Sequence, residues 1–146
     1  MIRNSCLPAL LLTCLLFSLN VYGQGFDAQR ARYNYMMFCQ GCHLPGGEGV
    51  QGRVPEIKGF IGRFLEVEGG REFLVRVPGA ANAAIGDAEL AELLNWIIIT
   101  LGGASAPENF EPYTAREVGR LRKDPLLNVN DHRDALIEKI KHELTH

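Results

Sequence analysis

The clearest pattern in the chain is an apolar stripe in its second half. Large aliphatic residues recur there at spacings of three and four, which places them on one face of a helix. The pattern predicts a helix that begins at Asp87, and the pair Gly102 and Gly103 ends it, since paired glycines stop a helical repeat. The stripe consists of Leu90, Leu93, Leu94, Ile97, Ile98 and Leu101.

Shorter helices are predicted on both sides of this one. Asp27 has the side-chain chemistry of a helix N-cap, and we expect a helix from it to about Gln40. We assign that helix an apolar side made of Tyr33, Met36, Met37 and Phe38. A short middle section is expected at residues 60–65, and further short helices over residues 71–77, 114–123 and 131–142. The fold class predicted from this pattern is all-α.

The first 23 residues have the pattern of a secretory signal peptide. Arg3 supplies a positive charge, and residues 7–19 form an apolar run that is too short to cross a bilayer. Val21 and Gly23 have the sizes that signal peptidase accepts before its cleavage point. We therefore expect a cleaved leader and a periplasmic protein. The alternative is a leader that is retained as a membrane anchor.

The composition is that of one globular domain. The chain has 146 residues, of which 47% are hydrophobic, and its formal net charge is −2. No strongly basic patch is present in the sequence, so nucleic acid is not an expected partner.

Removal of the leader changes the cysteine count. Cys6 and Cys14 leave with the leader, and the mature chain keeps Cys39 and Cys42. A disulfide between residues so close together would constrain the unfolded chain little. A thioredoxin-like redox pair would follow a strand, whereas the preceding segment has the pattern of a helix. Neither explanation accounts well for this pair.

Residues 39–43 (CQGCH) match the C-x-x-C-H pattern of covalent haem attachment. Thiols three positions apart can each add to one vinyl group on the same edge of a porphyrin. The next residue, His43, is then placed to bind the iron. A zinc site would need four ligands and would have to recruit remote histidines. The motif therefore predicts one haem c, bound by Cys39 and Cys42, with His43 as the proximal iron ligand.

The segment around this motif resembles the class I cytochrome c family over residues 27–102. Ala31 and Tyr35 stand where the family has a small residue and an aromatic residue, on the face of the first helix that meets the last helix. Residues 46–49 (GGEG) resemble its glycine-rich loop, and residues 54–59 (VPEIKG) resemble its Gly-Pro-x-Leu-x-Gly motif.

The resemblance implies a small helical fold around one haem. It also implies that the Pro55 carbonyl accepts a hydrogen bond from His43 Nδ1, which fixes the imidazole tautomer, and that Trp96 turns toward the first helix. The cytochrome c domain would span residues 24–103. Residues 104–146 would be a C-terminal helical extension that either packs over the haem domain or docks on a partner.

The sequence departs from the family at the sixth iron ligand. Most class I members have a methionine shortly before the last helix, but Val77 and Pro78 stand near that place, and valine cannot bind iron. Four alternatives remain open. The site could be open or hold water, or its ligand could be Asn82, a histidine of the extension, or a methionine near the motif. The histidines are His132 first, then His142 and His146, and the methionines are Met36 and Met37.

The function we expect is electron transfer, as a carrier or as the cytochrome subunit of an oxidoreductase, with redox partner proteins rather than a substrate. No residues are assigned a catalytic role. One alternative is a haem module whose open or labile sixth site binds a small gas. The other is a small haem peroxidase, which would need a distal His or Glu beside an arginine such as Arg63, Arg71 or Arg76.

Overall fold

The computed structural model describes residues 26–145, so the predicted signal peptide over residues 1–23 lies outside the described residues. Within them the chain is helical and contains no strand, which confirms the all-α fold class. The α-helices are α1 (Ala28–Phe38), α2 (Gln40–His43), α3 (Gly70–Arg76), α4 (Pro78–Ala81), α5 (Asp87–Trp96), α6 (Ala115–Leu121) and α7 (Val129–Glu143). Two 3₁₀ helices (Ile61–Glu66 and Gly103–Ser105) and one π-helical turn (Ile97–Leu101) complete the fold.

Helix α1 begins as predicted, because the Asp27 side chain accepts hydrogen bonds from the backbone N–H groups of Gln29 and Arg30 at 3.0 and 3.1 Å. The side that the hydrophobic pattern assigned as apolar is not the buried one, whereas the face implied by the family resemblance, with Ala31 and Tyr35, is buried. The side assigned as apolar is exposed, with Tyr33 at 59% and Met37 at 58% of their full accessibility, and so are Met36 and Phe38.

The face of α1 that is buried instead carries Ala31 and Tyr35. The small Ala31 side chain lets α1 approach α5 closely, and the Tyr35 ring lies 5.5 Å from the Trp96 ring between their centroids. The Tyr35 hydroxyl donates to the Leu44 carbonyl at 2.6 Å. One alanine and one hydrogen-bonded tyrosine therefore make the contact, and the more hydrophobic neighbours on the other side do not take part in it.

Helix α5 is the centre of the core. It begins at Asp87 as predicted, and Leu90 and Leu93 of its apolar stripe are each only 1% exposed. The stripe continues into the π-helical turn, where Ile97 and Ile98 are buried and Leu101 is partly buried. A bidentate ion pair joins it to α1: Arg30 Nε and Nη2 donate to the two Glu92 carboxylate oxygens at 2.7 and 2.8 Å. The Asp27 backbone N–H donates to the same carboxylate, so the start of α1 is held against the middle of α5.

The C-terminal extension packs on the rest of the molecule and shares its core. It contributes Tyr113, Val118, Leu121, Leu126, Leu136 and Ile140 to the buried apolar cluster. Arg71 of α3 forms a bidentate pair with Glu117 of α6 at 2.6 and 2.9 Å, and its guanidinium lies 4.0 Å above the Tyr113 ring centroid. The domain boundary at residue 103 stays a prediction, but the two parts are one packed body.

The neighbouring residues Leu126 and Leu127 test this packing with one matched pair of substitutions. Leu126 is 4% exposed and Leu127 is 95% exposed. We expect Leu126→Ala to lower the free energy of unfolding by about 2–4 kcal/mol, because it leaves a cavity in the core. Leu127→Ala should change it by less than about 0.5 kcal/mol. Chemical denaturation of both variants measures the difference, and equal effects would contradict the described packing.

Candidate functional site

The helices enclose an apolar cavity of about 340 Å³. Cys39, Cys42 and His43 all line it, as the motif predicts. The rest of its wall is mainly aliphatic and aromatic. It comes from the first 3₁₀ helix, from α3, from α5 and from the segment between α3 and α5. Representative lining residues are Ile61, Phe64, Leu74, Val77, Leu90 and Leu94. A flat, apolar group attached at the two thiols would be enclosed on several sides.

One short helical turn brings the three attachment residues together. The Cys42 and His43 backbone N–H groups donate to the Cys39 carbonyl at 3.1 and 3.0 Å, which forms α2. Both cysteines are free thiols; Cys39 is partly buried and Cys42 is exposed. Burial, and to a lesser degree the neighbouring Cys42, raises the pKa of the Cys39 thiol to about 11. The polypeptide thus presents two unpaired thiols on one side of the cavity.

The His43 imidazole is oriented by the contact that the family resemblance implies. Its Nδ1 lies 3.1 Å from the Pro55 carbonyl oxygen. Burial lowers the pKa of His43, and the Pro55 hydrogen bond opposes this shift. A neutral imidazole that donates from Nδ1 to Pro55 has its Nε2 lone pair available for a metal ion.

A tight loop places the Pro55 carbonyl beside His43. Val50 and Val54 form an antiparallel bridge, with N–H to carbonyl distances of 2.9 and 2.8 Å. Gly49 precedes the bridge with a left-handed φ of +67°, and a Cβ built there would lie 2.5 Å from the Val54 oxygen and 2.7 Å from the Pro55 oxygen. Only glycine fits this position without moving the carbonyl that holds His43.

The segment that stands where the family has its methionine offers the cavity no metal ligand. Val77, Pro78, Gly79, Ala80 and Ala83 line the cavity, and none of their side chains has an atom that binds iron.

The two candidates for the sixth ligand do not lie with the attachment residues. Asn82 is exposed at the end of α4 and is not among the cavity-lining residues. His132 is exposed on α7, where its Nδ1 lies 2.9 Å from the Asn128 carbonyl oxygen, and it does not line the cavity either. Met36 and Met37 are exposed on α1, and His142 is exposed near the end of α7. His146 lies outside the described residues.

Helix α7 contributes two cavity-lining residues that the sequence analysis missed, Val129 and Arg133. The three arginines that were considered for a peroxidase do not line the cavity. Each pairs with a carboxylate elsewhere: Arg63 with Glu66, Arg71 with Glu117 and Arg76 with Asp124. No periodic pattern in the polar sequence of α7 could have placed Arg133 beside the cavity.

The fold and the site together define a c-type cytochrome. Two free thiols and a neutral imidazole, all within five consecutive residues, line a cavity whose other walls are apolar, and this donor set fits a covalently attached haem. The protein carries one haem c.

Comparison with known proteins gives the family. Two curated relatives, both from Thermus thermophilus and both named cytochrome c-552, are each 34% identical to this chain over 106 residues. The alignments cover 60% of this chain, and 81% and 72% of the relatives. The chain belongs to the class I c-type cytochromes. No family model matches it.

Gly49 and Gly52 test the link between the loop and His43. Both glycines have a positive φ, +67° and +73°, but a Cβ at Gly52 meets nothing within 4 Å. We expect Gly49→Ala to displace the Pro55 carbonyl and weaken its hydrogen bond to His43. The imidazole then donates less electron density to the iron, so the reduction potential should rise.

A potentiometric titration of the two purified variants measures this shift. Gly52→Ala carries a similar backbone strain in open space and should keep the wild-type potential. A shift of the same size in both variants would show that the strain, and not the His43 hydrogen bond, is responsible.

Proposed function

We propose that this cytochrome is an exported one-electron carrier, or the cytochrome subunit of an oxidoreductase, that works in the periplasm with protein redox partners. The observation that supports this most is the chemistry of the cavity wall. Apart from the attachment motif, the ionisable side chains that line it within residues 26–145 are Glu56 and Arg133. The wall therefore offers a cofactor burial and orientation, but no array of acid and base groups for substrate chemistry.

Bound haem supplies a one-electron couple between ferric and ferrous iron. The chain contributes the surroundings of that couple. The apolar wall keeps the local dielectric low, and Pro55 increases the electron donation of His43 through their hydrogen bond. Cys42 is exposed and Phe38 is 37% exposed, so the attachment edge of the cavity lies at the surface. A partner docked there would be close to the cofactor.

Export is supported by the leader pattern in residues 1–23 and by the haem attachment motif, which requires a dedicated attachment system. Among residues 26–145, no helix is both long enough and apolar enough to cross a membrane.

The cavity wall also favours a second candidate function, the binding of a small ligand to the sixth position of the iron. Among the described residues that line the cavity there is no methionine, and His43 is the one histidine. We propose that the sixth position is open or weakly held. Val77 and Ala80 line the cavity in the segment where the family has its ligand, and they would favour a small uncharged molecule such as carbon monoxide or nitric oxide.

Spectroelectrochemical titration tests electron transfer. We expect a reversible one-electron transition, with about 59 mV for each tenfold change in the ratio of oxidised to reduced protein. The same sample should not turn over hydrogen peroxide with an electron donor. Irreversible redox behaviour together with rapid peroxide turnover would contradict the carrier and favour a haem enzyme.

The absorption spectrum of the reduced protein, before and after the addition of carbon monoxide, tests the sixth position. We expect a high-spin spectrum that shifts when carbon monoxide binds. A six-coordinate spectrum that carbon monoxide leaves unchanged would contradict the open site. Asn82→Ala and His132→Ala would then show which side chain is the ligand, because only the true ligand's variant would become high-spin.

A further inference from the structure

Arg122, the residue that follows α6, uses its whole guanidinium group to hold one segment of backbone. Its Nε donates to the Ala81 carbonyl at 3.0 Å, and its Nη1 donates to the Ile85 carbonyl at 2.8 Å. Its Nη2 donates to the Ala83 carbonyl. The side chain is only 15% exposed, so these hydrogen bonds are shielded from water.

The segment that Arg122 holds forms a wall of the haem cavity. It lies between α4 and α5, and residues 82–86 have no regular helical structure. Carbonyl groups in such a segment need donors from elsewhere in the fold. Ala83 is 9% exposed and lines the cavity, and so does Ala80, three residues earlier. Arg122 itself does not line the cavity, so its guanidinium holds this segment from outside the cavity lining.

A second set of contacts fixes the start of the same wall. The Leu126 backbone N–H donates to the Arg76 carbonyl at 2.9 Å, and Arg76 Nη2 donates to the Asp124 carboxylate at 2.6 Å. Val77, the next residue, lines the cavity. The C-terminal extension thus holds the wall at both ends, over residues 77–86.

Arg122 also contacts Asp87, the first residue of α5, at 3.2 Å from Nη1 to Oδ1. Gly119 of α6 packs against the same carboxylate, because a Cβ built there would collide with the Asp87 side chain. The α6 helix therefore approaches the start of α5 closely, and the Arg122 guanidinium contacts the same Asp87 carboxylate.

We propose that Arg122 is a positioning residue that fixes this wall and thereby controls how readily a sixth ligand reaches the haem iron. The inference rests on the proposed haem site. The wall's cavity-lining side chains cannot bind iron, so the wall has no bond to the cofactor that could hold it in place. The hydrogen bonds from Arg122 take over that task, and a guanidinium can serve three carbonyls at once, whereas a lysine ammonium acts as a single point charge.

The experiment compares purified holoprotein of the wild type with Arg122→Gln, Arg122→Lys and the control Arg116→Gln. Arg116 lies in the first turn of α6, the helix that Arg122 follows, and is exposed. Hydrogen–deuterium exchange measures the mobility of residues 78–86, with residues 40–43 as an internal reference. Titration of the ferric protein with imidazole measures access to the iron for a ligand that is bulkier than carbon monoxide.

In both Arg122 variants we expect faster exchange over residues 78–86 and imidazole affinity that is about tenfold higher, since charge-assisted hydrogen bonds are lost. Arg116→Gln should match the wild type in both measurements. Arg122→Lys keeps the charge and most of the side-chain length, so it is the variant that should fold normally if Arg122→Gln does not.

The proposal is overturned if both Arg122 variants behave as the wild type does, or if Arg116→Gln produces the same changes. It is also overturned by faster exchange with unchanged imidazole affinity, because the wall would then not control access. Loss of covalent haem from both Arg122 variants would overturn it too, since Arg122 would then be needed for the fold as a whole. A wild-type protein without covalent haem is a different result, and it would contradict the proposed function itself.

Discussion

The structure depends on one constraint: two thiols and an imidazole, all within five consecutive residues, must face the same apolar cavity. The single turn of α2 satisfies it by directing Cys39, Cys42 and His43 to one cavity wall. The rest of the local structure follows from the need to hold His43. The Val50–Val54 bridge and the close approach at Gly49 bring the Pro55 carbonyl to 3.1 Å from Nδ1, and this contact leaves Nε2 for the iron.

The C-terminal extension, which follows the attachment motif by more than sixty residues, completes the cavity wall. It adds Val129 and Arg133 to the lining and six residues to the core, and it holds the segment between α3 and α5 through Arg122. A chain that places no iron ligand in that segment has to stabilise it by other contacts. In this protein those contacts are hydrogen bonds from Arg122 of the extension to backbone carbonyls.

Features that depend on neighbouring residues could be predicted from the sequence. The stripe of α5 follows from helical spacing, and the Asp27 side chain caps α1 as expected. The attachment residues follow from a five-residue motif, and the Pro55 contact follows from family resemblance at a spacing of twelve residues. These signals come from residues close together in the sequence, so they can be recognised without the tertiary structure.

Features that depend on distant residues could not be predicted from the residue pattern alone. The buried face of α1 is decided by the fit of Ala31 and Tyr35 against α5; hydrophobicity selected the other side, and the family resemblance was what indicated this face. Arg122 contacts carbonyls that are 37 to 41 positions earlier. Every residue has a backbone carbonyl, so the sequence does not indicate which ones an arginine contacts. Arg133 reaches the cavity because α7 packs back on the fold, and nothing in its charged surroundings distinguishes it from a solvent-exposed residue.

The central claim is that Cys39 and Cys42 attach one haem to this chain. Intact-mass spectrometry under acid-denaturing conditions, on protein exported to a periplasm that has a haem attachment system, tests it most directly. We predict the mass of the processed polypeptide plus one haem for the wild type, and the mass of the polypeptide alone when both cysteines are replaced by alanine. A wild-type mass without haem, or haem that persists in the double variant, would contradict the account.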